Sequence, residues 1–225
     1  MNIEKAIEEC EISLKQIKQY DPDPFYVNYF FNQYIISVDN IIEGIFEEAD
    51  RDFGLFVSGK ISEKAFSEKA NSKKDENAIK FSEWYQQKYN EEHKYAYPNF
   101  IDKVRYFQKK FKKLPEIKIM MRTTERYRDD INQQIKISLS NGKLRSKKEL
   151  SIEIKRQLPI FLQVINYKRY EKNEPKVEEN QVTASAFLDI GDHKDFEIAH
   201  TSEIYIPVMK RLVEETRGKI RELVK

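Results

Sequence analysis

Two groups of residues have the types and spacing for chemistry. His200 lies three residues from both Glu197 and Glu203, and a carboxylate can orient an imidazole and hold its pKa near neutrality, as in a general acid–base pair. Just before it, Asp189, Asp192, His193 and Asp195 offer oxygen and nitrogen donors to a divalent cation, although their spacing matches no calcium-loop pattern. Polar turns and hydrogen-bonded caps use the same residues, so no catalytic residue, metal or cofactor is assigned. The second group is basic: Arg105, Lys109, Lys110, Lys112, Lys113, Arg122, Arg126 and Arg128. Side chains of this kind neutralise phosphates, and gathered on one face they would hold RNA or DNA without strong sequence preference. Tyr26, Tyr29, Tyr34, Trp84, Tyr85, Tyr89, Tyr95 and Tyr97 have faces that can stack on bases, but at helical spacing they read mainly as packing residues.

Charge distribution singles out the second group. The net charge is only +2, yet residues 102–171 hold 19 Lys and Arg against 8 Asp and Glu, whereas residues 1–101 hold 12 against 19. A basic middle third is an anion-binding face or a solvated surface that balances acidic neighbours. The chain has no Gly-rich phosphate loop, no HExxH, no CxxC and no GxSxG. Its one cysteine, Cys10, can form no internal disulfide. No apolar run approaches the roughly 20 residues that span a bilayer, and the acidic start is unlike a secretion leader. The expectation is a cytoplasmic protein, with no membrane association.

The elements that must position these groups follow from periodicity. Val27, Phe31, Tyr34, Val38, Ile41, Ile45 and Ala49 recur at spacings of four and three over Phe25–Phe53, and Phe30, Ile35, Ile42 and Phe46 widen that stripe. A helix of this length runs roughly 40 Å and must be covered from several sides, so the protein is expected to be at least a dimer, with the C-terminal helix folding back as the intramolecular alternative. Residues 2–20 predict an amphipathic helix that Asp21-Pro22-Asp23-Pro24 ends, with Asp23 capping the next helix and forming a hairpin. Further helices are predicted from Ser62, over about 75–90 and from about Pro98, with a loop over 71–77 and His93 in another. Alternation over 117–122 and 135–140 predicts two strands. Ser146-Lys147-Lys148-Glu149 fits a capping box for a helix over about 147–170, kinked at Pro159, although Leu150, Ile152 and Ile154 also alternate as in a strand. A second strand pair is predicted at 181–190 and 195–200, followed by a final helix. The fold class is therefore α+β and mainly helical, with an N-terminal helical bundle (1–113), a small antiparallel sheet and a long C-terminal helix (together 114–225), packed as one unit.

Tyr29-Phe30-Phe31-Asn32 and Ser37-Val38-Asp39-Asn40 on the long helix, Phe81-Ser82-Glu83-Trp84-Tyr85, and the basic helix that follows resemble the HEPN superfamily over about residues 1–113. The resemblance implies a helical bundle of prokaryotic defence, toxin–antitoxin or RNA-processing systems, in which many members are dimeric, metal-independent ribonucleases. Their catalytic mark is an Arg, often followed by a polar residue, with a His four to six residues further on. Here Arg105 matches, but Lys110, Phe111 and Lys112 stand where the His belongs. The leading expectation is thus a non-catalytic HEPN-like protein that binds nucleic acid or another polyanion. A structural or interaction module is the alternative, and a ribonuclease with a degenerate site ranks third.

Overall fold

The structure is a computed structural model that describes residues 2–95, 100–111, 115–123, 138–139, 147–189 and 196–224. Its helices are α1 (Ile3–Tyr20), α2 (Pro24–Phe53), α3 (Glu63–Lys73), α4 (Glu76–Tyr95), α5 (Phe100–Phe111), α6 (Lys147–Glu171) and α7 (Ile198–Leu223). Its strands are β1 (Glu116–Thr123), β2 (Ser138–Leu139), β3 (Val182–Asp189) and β4 (Phe196–Glu197). The fold is α+β and mainly helical, with a small antiparallel sheet and a long C-terminal helix. Two compact units interleave along the sequence: residues 1–15, 30–103 and 200–225 form one, and residues 16–29 and 104–199 the other. N- and C-terminal segments thus share a unit.

In the first unit, α2 is the spine that its periodicity predicts. Phe31, Tyr34, Val38, Ile41, Ile45, Phe46 and Ala49 are all essentially inaccessible to solvent. α1 runs antiparallel beside it: Cys10 reaches the Tyr34 carbonyl and Ser37 the Glu9 carboxylate. At Gly44 the two helices come so close that a Cβ would stand 2.6 Å from Ile3 Cγ1. α7 does return to the spine. Tyr34 Oη donates to the Ser202 carbonyl (2.9 Å), and Arg217 bridges Glu48 of α2 (2.6 Å) and Glu4 of α1 (2.7 Å). α1 and α7 thus cover part of the apolar breadth of α2 within one chain.

The other side of α2 is packed by rings. Phe46 lies 4.7 Å from Tyr85 and 5.5 Å from Phe66, and Phe66 lies 5.6 Å from Phe81, within the range where edge-on and tilted aromatic pairs are favourable. Ser62 caps α3 by accepting from Ala65 N (3.2 Å). The loop expected over residues 71–77 is instead a sharp corner: α3 continues to Lys73, Lys74 takes a left-handed conformation (φ 54°), and Asp75 accepts from Ala78 N (2.9 Å) to start α4. α4 then runs to Tyr95 and takes in His93, where the sequence predicts a loop.

The second unit is built on one four-stranded sheet of order β2-β1-β3-β4. β1 and β3 pair along their whole length, from Glu116 with Asp189 to Thr123 with Val182. α6 covers one face, with Leu150, Phe161 and Ile165 over Ile119 and Met121. The helical reading of residues 147–170 is therefore the correct one of the two. Asn166 fixes the chain leaving α6 by accepting from Val177 N (2.7 Å) and donating to Val177 O (3.0 Å). β4 holds only Phe196 and Glu197, and α7 begins at Ile198. His200 thus lies in the first turn of α7, not at a strand end. The Ser146 cap lies outside the described residues.

Candidate nucleic-acid interface

The sequence of α5 separates its faces. Ile101 and Val104 are fully buried, while Tyr106, Lys109 and Lys110 are exposed on the other side. Tyr106, 65% exposed, holds Lys110 Nζ 5.8 Å from its ring centre, within reach of a cation–π attraction. Arg105 is half-buried and partnered. Of the expected basic residues, α5 thus presents Lys109 and Lys110 outward. Lys112, Lys113, Arg126 and Arg128 lie outside the described residues. Tyr106 is not among the expected residues, although its spacing of three and four from the two lysines is a sequence signal for it.

Arg122 is placed differently from an open phosphate contact. It projects from β1 into a polar cluster of the second unit, where its side chain is 11% exposed. Nη2 donates to Glu197 Oε1 on β4 (2.8 Å), and Nε donates to Ser185 Oγ on β3 (3.2 Å). Ser185, 2% exposed, in turn hydrogen-bonds the carboxylate of Asp21 in the α1–α2 turn. Asp21 Oδ1 also accepts from Ala186 N (2.7 Å), one residue beyond the last β3–β4 pair, Phe187 with Glu197. A side chain from a helical turn thus satisfies a sheet N–H that the two-residue β4 is too short to meet. Burial pushes the Asp21 carboxyl up to about 6, and Glu197 adds to this; the bonds from Ala186 and Ser185 and the charge of Arg122 hold it from going higher.

This cluster is a connected polar network rather than an empty receptor. Glu197, expected as a partner for His200, is engaged by Arg122. Asp21, read only as a helix stop, was missed because nothing in Asp21-Pro22-Asp23-Pro24 discloses a sheet edge more than 160 residues away. Asp23 does cap α2, accepting from Phe25 N at 3.0 Å. Asp192, His193 and Asp195 of the candidate metal loop lie outside the described residues. Among the described residues, no group of three or more His, Cys, Asp or Glu is placed to hold a metal ion, and no helix is long and apolar enough to cross a membrane.

The aromatic residues sort as their helical spacing predicts only in part. Tyr34 and Tyr85 are buried, whereas Tyr26 and Tyr29 are open to solvent, 43% and 56% exposed. Tyr26 stacks on Tyr20 with ring centres 4.5 Å apart. Comparison with protein-family models, with curated proteins and with solved structures gives no match.

Proposed function

We propose that the protein binds nucleic acid, or a polyanion of similar charge density, through the basic outer face of α5, and that it does so without cleaving it. The observation that supports this reading is the separation of faces on α5: Ile101 and Val104 are spent on the core, while Lys109 and Lys110 stand exposed. Exposed lysines can meet phosphates, and each contact releases condensed counterions. Lys112 and Lys113 continue the basic run in sequence. The lack of cleavage follows from Arg105: it has no His at the spacing that the HEPN resemblance requires, and an ordinary lysine pKa near 10.4 makes a poor proton donor or acceptor at pH 7.

The test is a fluorescence anisotropy titration of labelled RNA and DNA at low salt, with the Lys109→Glu/Lys110→Glu variant beside the wild type. Binding that weakens in the variant while its circular dichroism is unchanged is the expected result, since exposed charges contribute little to stability. Failure to bind below about 100 μM, the weak end of non-specific contacts, would remove the proposal. It would leave the second reading, an interaction module. One observation favours that reading: α6 turns Ile152, Ile160, Val164, Tyr167 and Tyr170 outward, each at least 38% exposed, and apolar faces of this kind mark protein contacts.

A further inference from the structure

We infer that Tyr106 is a stacking platform for an unpaired base, which makes single-stranded nucleic acid the substrate class of the α5 face. The inference rests on the reading above and narrows it. A tyrosine that is 65% exposed is not held by the core, and it forgoes the burial that most aromatic residues obtain. Its position is what gives it a use. Lys109 and Lys110 follow it at the two spacings that share a helix face, and Lys110 Nζ lies 5.8 Å from its ring centre. A ring with Lys110 held over it and a second lysine three residues along the same helix matches the two parts of a nucleotide: the base against the ring, the phosphate against an ammonium group.

The geometry discriminates between strands. In a duplex the faces of the bases are hidden in the stack, so a ring on a convex helix surface meets only sugar and phosphate. An unpaired base offers its whole face and needs no particular edge. The site would therefore tolerate any sequence but not a paired one. The lysines act on either form, because both carry phosphates.

Labelled homopolymers of about 12 nucleotides, within the span that such grooves occupy, and a labelled hairpin duplex serve as probes in anisotropy titrations at several salt concentrations. The wild type is expected to bind the single strand more tightly than the hairpin. Tyr106→Ala should weaken single-strand binding by about tenfold and leave the salt slope unchanged, while Tyr106→Phe, which keeps the ring, should bind like the wild type. Lys109→Gln/Lys110→Gln should instead flatten the log–log salt slope by about 1.4, at about 0.7 per phosphate contact. Equal binding of the two probes, or a Tyr106→Ala variant indistinguishable from the wild type, would overturn the stacking role while binding through the lysines survives. Absence of binding to either probe would overturn both this inference and the proposal on which it rests.

Discussion

Asp21 shows how one side chain can carry two structural duties and a pH dependence. Its carboxylate closes the sheet edge at Ala186 and lies beside Glu197, in surroundings that raise it from the ordinary aspartate value of 3.8 to about 6. Between these two values the folded chain binds more protons than the unfolded one. Stability is therefore fully present below the lower value and falls as pH rises through the upper one, by on the order of 3 kcal/mol at 1.36 kcal/mol per unit. Asp21→Asn keeps an acceptor for Ala186 N without the charge. Urea midpoints should show the variant close to the wild type at about pH 4.5 and more stable than it at about pH 7.5. Other titrating groups cancel in that comparison, so a variant-to-wild-type difference that does not change with pH would count against the buried charge. Arg122 teaches the related lesson about reading sites from sequence: its place in the basic run was visible, but its partners stand 63 and 75 residues away. Only pairing in the sheet brings them together.

At the scale of elements, the helices were legible because the pattern of their buried residues repeats with the turn. The seven apolar positions that define α2 are all buried, and its predicted and observed ends differ by a single residue at the start. The α3–α4 corner was not legible. α3 buries only Phe66 and Ala70, so its last turn is polar enough to resemble a loop. β4 was read as longer because Ile198 and Ala199 extend an apolar stretch, whereas both are buried at the start of a helix. Helix contacts also set what glycine does in this fold. Gly44 and Gly218 both lie inside helices, where alanine is intrinsically better by about 1 kcal/mol. A Cβ on Gly218 would meet nothing within 4 Å, while one on Gly44 would stand 2.6 Å from Ile3 Cγ1, near the root of that side chain. Thermal or urea unfolding should find Gly218→Ala stabilised by up to about 1 kcal/mol. Gly44→Ala should be destabilised by about 1–3 kcal/mol, because α1 must shift away from the spine. If both substitutions stabilise, the close approach of α1 and α2 is not as described.

For the molecule as a whole, the question is whether two units mean two folding units. All four divisions of the chain, at residues 15/16, 29/30, 103/104 and 199/200, fall inside helices: α1, α2, α5 and α7. Independent domains meet at exposed linkers where the backbone hydrogen bonds of one end before those of the other begin. Here a helix must stay continuous through each division, and melting one unit would fray the shared helices and strip their ends of partners. The two units are therefore expected to unfold together. Trp84, the only tryptophan, lies on α4 in the first unit, and its fluorescence reports that unit alone. Far-UV circular dichroism reports the helices of both. Urea transitions followed by the two signals should coincide within error, as two-state unfolding requires. A dichroism change that persists after the Trp84 signal has levelled would mean that residues 104–199 hold their sheet and α6 without the first unit, and would make that segment a domain able to be studied by itself.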